Sequence, residues 1–369
     1  MLRTIAHILL LLLSLGSVVA CPLGGQEVGS ADSTLHSLRI ASLNCENLFD
    51  TIATEGHDDS EFLPHSQRQW NTQRYWRKLS MLAREIASLN SPEAVDMVAL
   101  MEVEGDTALR DLTHRSRLRH LRYQYLITNH SDRRGISTAL LYREGSFRPL
   151  YTRSLNWQQR LGITTPTREV LHVHGIVRSG DTIDIMVCHM PSQGGKKRAK
   201  RLRSQVASGL RSYVDSLLTA HPTANIIIVG DMNDSPDSRI LRRNLGAKLL
   251  KPLTAAPDSN VPYSYKADYK TLYNISDLRR HPNSPRGTYR YRGHWEMLDQ
   301  CIVSGSLLNR HNRLHLAGHH PLSIVYHHFL LEQDHTYGGY KPWRTYQGPF
   351  YRGGFSDHLP IVVEFKYGR

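Results

Sequence analysis

The segment IIIVGDMNDSPDS, residues 226–238, runs four branched apolar residues straight into Asp231, Asn233 and Asp234. Carboxylates concentrated at the end of a buried strand repel one another, so a cation is expected beside them. The pattern recurs along the chain. Asn44 and Glu46 end LRIASLNCE, Glu102 ends MVALME, His189 ends IDIMVCH, Asp299 precedes CIV, and Asp357 and His358 precede LPIVVEF. The spacing of two in Asn44/Glu46 and in Asp231/Asn233 puts both members of each pair on one face of an extended chain. Singly, each is an ordinary strand-end residue that helps a turn. Together they make an oxygen-rich set that suits Mg²⁺ and lacks the thiolates of a structural zinc site.

These residues need strands to carry them. LRIASLNCENLF, DMVALMEV, STALLYR, VLHVHGIV, TIDIMVCHM, NIIIVGDMN, LDQCIVS and LPIVVEF read as strands, rich in branched residues. WRKLSMLAREIASLN is helical, with Leu79, Leu82, Ile86 and Leu89 on one face. RLRSQVASGLRSYVDSLL is helical too, with a stripe of Leu202, Val206, Leu210, Val214 and Leu217. Some strands follow one another with no helix between them, which a doubly wound parallel sheet would not produce. Two packed mixed sheets with helices outside are expected. Residues 255–295 and 305–352, rich in Tyr, His, Gly and Arg, read as long loops on that scaffold.

The first twenty residues read as a secretory signal: Arg3, an apolar run from Ile8 to Leu15, and small residues before Cys21. VVAC resembles a bacterial lipobox, which would make Cys21 a lipidated first residue, with plain cleavage after Ala20 as the alternative. Residues 21–37 read as a flexible tether and 38–369 as one domain. The protein is therefore expected to be exported, to the cell envelope or beyond, touching membrane only through a lipid. Cys45, Cys188 and Cys301 are too few and scattered for a disulfide framework and read as small buried apolar residues. With 46 Lys and Arg against 33 Asp and Glu, the net charge of +13 favours polyanionic partners.

LNCENLFD, ALMEVEG, CHMPSQGG, VGDMND, MLDQCIVS and FSDHLPIVVEF stand in the order and character of the endonuclease/exonuclease/phosphatase superfamily, and the chain from Asn44 to Phe365 resembles it. The resemblance implies an α/β fold, a four-layered α/β/β/α sandwich of two packed mixed sheets with outer helices. It implies Glu102 as the principal metal carboxylate, Asn44 as a metal or phosphate contact, and Glu46 and Asp357 as further acids near the metal. Asp231 would orient or deprotonate the attacking water, with Asn233 holding a phosphoryl oxygen or positioning Asp231. His358 would face the scissile phosphate with Asp299 as its partner, and His189 matches a second histidine. The implied cofactor is Mg²⁺, or Mn²⁺, in one or two copies. The implied reaction is in-line attack of water on phosphorus with no covalent intermediate.

Substrate contacts are sought among Arg133, Arg134, Arg168, Tyr291, Arg292 and Trp295, which combine cations with stacking faces. KKRAKRLR, 196–203, is either a solvated helix face or a phosphate contact, and the histidines from His311 to His335 are too irregular for a second metal site. The expected function is a metal-dependent phosphodiesterase acting on nucleic acid, monomeric and with no obligate protein partner. A phospholipid phosphodiesterase, or a phosphatase of lipid or sugar phosphates, would use the same site. A polyanion-binding protein on an inactive scaffold is the alternative of a different class.

Overall fold

The computed structural model describes residues 35–90, 94–129, 132–194, 196–251, 267–278 and 285–368. The expected signal sequence, Cys21 and the tether up to residue 34 lie outside the described residues, as does much of 255–295.

Fourteen strands build two sheets. They are β1 (His36–Leu48), β2 (Met97–Val103), β3 (Gln124–Ile127), β4 (Ser137–Tyr142), β5 (Phe147–Leu155), β6 (Val170–Val177) and β7 (Thr182–His189). The chain continues with β8 (Ile226–Asp231), β9 (Ala247–Leu249), β10 (Leu272–Asn274), β11 (Asp299–Ser304), β12 (Leu314–Leu316), β13 (Leu322–Ile324) and β14 (Ile361–Tyr367). Sheet one runs β12-β14-β1-β2-β4-β3, with β13 also on β14; sheet two runs β5-β6-β7-β8-β11-β10-β9. Helix α1 (Thr72–Ser88) is capped by Asn71, whose side chain accepts from the backbone N–H of Arg74. Helix α2 spans Lys196–Ala220, so KKRAKRLR forms its first turns.

Alternation along the strands explains the stacking. Ile40, Met97, Ala99 and Leu140 of sheet one meet Leu171, Ile185, Ile227 and Val229 of sheet two in a shared core. The opposite face of sheet one, with Leu43, Val98 and Leu100, packs on Leu79, Leu82 and Ile86 of α1. The opposite face of sheet two, with Met186, Ile226 and Ile228, packs on Val206, Leu210 and Val214 of α2. The layers are therefore helix, sheet, sheet, helix. IIIV is uninterrupted because both faces of β8 are covered. Cys45, Cys188 and Cys301 are free and buried, and burial pushes their thiols up.

The stretch 305–352, read as loop, holds β12, β13 and two hairpins, Leu331–Gln333 with Tyr340–Pro342 and Tyr346–Gln347 with Phe350–Tyr351. Pieces of two or three residues are too short to show a period. Strand β5 escaped notice for another reason. It is an edge strand with mostly exposed side chains, and Pro149 sits at an irregularity in its pairing with β6.

Candidate active site

Strands β1 and β2 run parallel, as do β7 and β8, so the ends that carry the polar residues fall on one edge of the molecule. In sheet two the register sets His189 beside Asp231, and Asp299 of antiparallel β11 opposite Asp231. Gly230 is the residue that permits this approach. Its φ is +140°, and a Cβ there would stand 2.0 Å from the Cys188 carbonyl oxygen.

Sheet one is bent at the same edge. Its registers shift between Asn44 and Leu48 and between Met101 and Val103, and Glu46, Asn47 and Glu102 adopt φ of +48°, +59° and +60°. Left-handed backbone at non-glycine residues is unfavourable and gathers at functional sites. The kink separates Asn44 from Glu46, which the extended spacing placed on one face. Glu46 accepts from the backbone N–H groups of Thr345 and Tyr346 at 2.5 and 3.2 Å and lies 3.4 Å from Arg344 Nε. Arg344 Nη2 also donates to Asp357 at 2.8 Å. Glu46 and Asp357, both expected near the metal, are thus joined through Arg344, and Glu46 also holds the backbone of the 345–346 loop. The reason is the positive φ at Glu46, which turns its side chain away from the strand's alternation.

The remaining residues converge across both sheets. Asn44 Nδ2 donates to Asp231 Oδ2 at 3.2 Å. Asn233, at φ +49°, donates its N–H to Asp231 Oδ1 at 2.9 Å and its Nδ2 to Asp231 Oδ2 at 3.1 Å. Asp231 and Asn233 do meet, through a side-chain turn rather than through strand alternation. Met232 points into the core under α2, while Asp234 and Asp237 are occupied by Ser235 in the turn that follows. Glu102 Oε2 accepts from the Asn47 N–H at 3.0 Å, and its Oε1 lies 3.7 Å from His189 Nε2. His189 Nε2 and His358 Nε2 stand 3.7 and 3.9 Å from the same Asp231 Oδ2. These gaps exceed a hydrogen bond and leave room for a reacting oxygen.

His358 Nδ1 pairs with Asp299 Oδ2 at 2.6 Å, an oxygen that also accepts from Thr288 Oγ1 at 2.6 Å. Ser356 explains the SDH triplet: its hydroxyl donates to the Asn44 carbonyl and accepts from the His358 N–H, tying the triplet to β1. Burial disfavours charge on His358, but Asp299, Asp231 and Asp357 outweigh it and hold the imidazolium well above its ordinary range. His189 goes the other way. Burial, then Arg168, Arg134 and His358, push it well below, so it stays neutral. Asp231 is pushed up to about 7, chiefly by burial and further by Asp299 and Glu102, against the pull of His358. Two histidines of opposite charge state thus flank one carboxyl poised near neutrality.

The sequence candidates for substrate contact divide. Arg168 is buried with Nε 3.4 Å from Asp132, within electrostatic reach of the Glu102 and Asp231 carboxylates, which favour its charge. Arg134 donates to Asn47 Oδ1 at 3.0 Å, and both cations border the site. Arg133 instead makes an exposed ion pair with Asp58 at 3.1 Å. Tyr291 and Arg292 are at the tip of the hairpin Tyr289–Tyr291/His294–Glu296, the guanidinium 5.3 Å from the tyrosine ring. Trp295 packs on the core between the sheets. Tyr289, a further stacking candidate of that same segment, brings its ring 4.9 Å from that of His358. Three residues escaped the sequence reading: Thr288, Arg344 and Asp132. Of these only Thr288, within GTYRYRGHWEM, stood in a segment already marked.

The donors fit a hard divalent cation. Glu102 Oε1 accepts no hydrogen bond among the described residues and lies 3.7 Å from His189 Nε2, while Asn44 contributes an amide at the same edge. Among the described residues no three His, Cys, Asp or Glu side chains form a closed metal cage. One open carboxylate with amide neighbours suits Mg²⁺, which keeps several waters and completes its shell with substrate oxygens. Residues 39–367 match the model of the endonuclease/exonuclease/phosphatase family. The chain belongs to that family. Enzymes of the family are phosphoester hydrolases, typically dependent on divalent metal. A solved family member from Bacteroides thetaiotaomicron is 14% identical with a TM-score of 0.54, covering 91% of this chain and 100% of its own. The mannosyl-6-phosphatase Bt3783 of the same organism is 15% identical with a TM-score of 0.53, covering 89% and 99%. A humanized D. rerio TDP2 is 16% identical with a TM-score of 0.50, covering 89% and 98%. These likenesses support the fold alone. No curated protein matches the sequence.

Proposed function

We propose that this family member is an exported, Mg²⁺- or Mn²⁺-dependent phosphodiesterase that hydrolyses nucleic acid by attack of an activated water. The observation that carries the chemistry is Asp231, buried between neutral His189 and charged His358 and beside the free oxygen of Glu102. Glu102 and Asn44 would hold the metal, which when bound supplies charge neutralisation at the phosphoryl oxygens. Asp231 accepts the proton of the attacking water, held in place by the amides of Asn44 and Asn233. His358, oriented by Asp299 and Thr288, donates to a phosphoryl oxygen from its Nε2. Arg168 and Arg134 add positive potential on the His189 side.

The net charge of +13 supports a polyanionic substrate. The protein acts as a monomer outside the cytoplasm, either lipidated at Cys21 or cleaved after Ala20. The experiment offers purified protein plasmid DNA, RNA, sphingomyelin and a soluble phosphomonoester with Mg²⁺ or Mn²⁺. Metal-dependent cleavage of DNA or RNA that is lost in Asp231→Ala is expected. Hydrolysis of lipid or phosphomonoester with intact nucleic acid would replace the reading by the corresponding lipid or sugar-phosphate hydrolase.

A further inference from the structure

Sheet two continues past the catalytic residues. Strand β10 is antiparallel to β11, β9 is parallel to β10, and β11 is antiparallel to β8, so β8, β9 and β10 all point the same way. The ends of β9 and β10 therefore lie on the same edge as Asp231 and Asp299. An open cleft of about 780 Å³ occupies that edge. Its near wall is the catalytic neighbourhood itself. Asp237 belongs to the turn after Asn233, and Met297 stands two residues before Asp299. Gln300 fastens that wall, donating Nε2 to the carbonyls of both Asp234 and Met297.

The cleft is cationic. Arg242, Lys248, Lys251 and Arg286 line it against Asp237 and Asp277. Arg242, Lys248 and Lys251 are exposed and make no ion pair among the described residues. Three exposed cations around one concavity present a positive surface that suits a polyanion. From β8 to β9 is three strand spacings, about 14 Å. That lies beyond the span of one sugar phosphate bound at His358, and it suits the following phosphates of a chain.

We propose that this cleft is a second anion-binding stretch that holds the backbone phosphates of a single nucleic-acid strand running on from the scissile phosphodiester. The proposal rests on the nuclease reading of the catalytic centre and narrows it, since the substrate must be a polymer long enough to reach β9. Leu249 and Met297 add apolar lining to the cleft. Specificity is for chain length and charge rather than for sequence, because backbone contacts carry no base information.

The test is binding without turnover. A fluorescein-labelled single-stranded oligonucleotide is titrated with full-length protein in chelator, and anisotropy is followed across a salt series. The variant is Arg242→Ala with Lys248→Ala and Lys251→Ala. A control of equal charge change, Arg117→Ala with Arg119→Ala and Arg148→Ala, removes exposed cations from the opposite edge, where β3 and β5 begin. The cleft variant is expected to bind about tenfold more weakly, with its log–log salt slope reduced by about 2, while the control binds like wild type. Its hydrolysis of bis(4-nitrophenyl) phosphate, too small to reach the cleft, is expected to be unchanged. Equal affinity and slope in the cleft variant and wild type would overturn the proposal. An equal loss in cleft and control variants would overturn it too, since only net charge would then matter. Wild-type protein that binds the oligonucleotide through the cleft yet cleaves none with metal present would leave the cleft standing and remove the nuclease reading.

Discussion

At the residue scale the decisive relation is between Asp231 and the two histidines on either side of it. Replacing Asp231 by Asn keeps the side chain's size and one accepting oxygen, but sets an NH2 donor against donors from Asn44 or Asn233 and removes the proton acceptor. A fall in kcat of about 10²–10⁴ is expected in a phosphodiesterase assay, with folding unchanged by circular dichroism. Asp299→Asn acts indirectly. The Asp299 carboxylate is the largest influence raising His358 against burial, so its loss lowers the pH at which the imidazolium gives up its proton. The alkaline limb of the pH–rate profile is expected to move to lower pH; an unmoved limb with reduced kcat would deny His358 its role as the cation. Asp231, Asn233 and Glu102 were legible in the sequence because they close apolar runs, and His358 because it opens one. Arg344 was not, for it sits in an aperiodic loop and reaches Glu46 and Asp357 only after folding. The contacts of Glu46 are hidden from the sequence for a related reason: a positive φ interrupts the alternation from which a strand residue's direction is read.

At the element scale, Gly230 governs how closely β7 and β8 approach, and with it the spacing of His189 from Asp231. Gly230→Ala places a methyl group against the Cys188 carbonyl in a backbone region that L-residues avoid. A destabilisation of about 3 kcal/mol or more is expected, seen as a lower melting temperature together with lost activity. Helix α1 carries a different strain. Lys78, buried on α1, donates to Thr345 Oγ1 and the Phe355 carbonyl, and so braces the loop that presents Arg344. Its neighbour Glu85 is fully buried with one oxygen unpartnered, and burial pushes its carboxyl up to about 8, Lys78 opposing and Glu46 adding. A folded value above the unfolded one means that its contribution is complete below about 4.3 and is lost as pH rises through 8. Glu85→Gln should therefore gain stability relative to wild type between pH 5 and pH 8, by on the order of 3–4 kcal/mol. Thermal melts at the two pH values measure it, and a constant difference would contradict the assignment. The long helices and buried strands were legible from their periods; β5, an exposed edge strand, and β9, β10, β12 and β13, three residues each, had too little pattern to read.

At the scale of the whole molecule, the candidate site residues come from both sheets, and neither sheet alone holds the full set. Asn44, Glu102 and His358 are carried by or beside strands of sheet one, while His189, Asp231 and Asp299 end or begin strands of sheet two. The shared apolar core between the sheets is thus what fixes the distance from Asn44 to Asp231 and from His358 to Asp299. This layering followed from strand order and from the resemblance, whereas the basic cleft beyond β11 did not, because its cations come from segments with no common pattern. The most direct measurement is hydrolysis of a labelled oligonucleotide as a function of Mg²⁺, comparing wild type with Glu102→Gln. Wild-type activity abolished by chelator and restored by Mg²⁺, with Glu102→Gln needing at least about tenfold more metal or staying inactive, is the expected result. Hydrolysis that survives the chelator, or a Glu102→Gln metal titration that overlays wild type, would contradict a metal-dependent phosphodiesterase centred on Glu102 and Asp231.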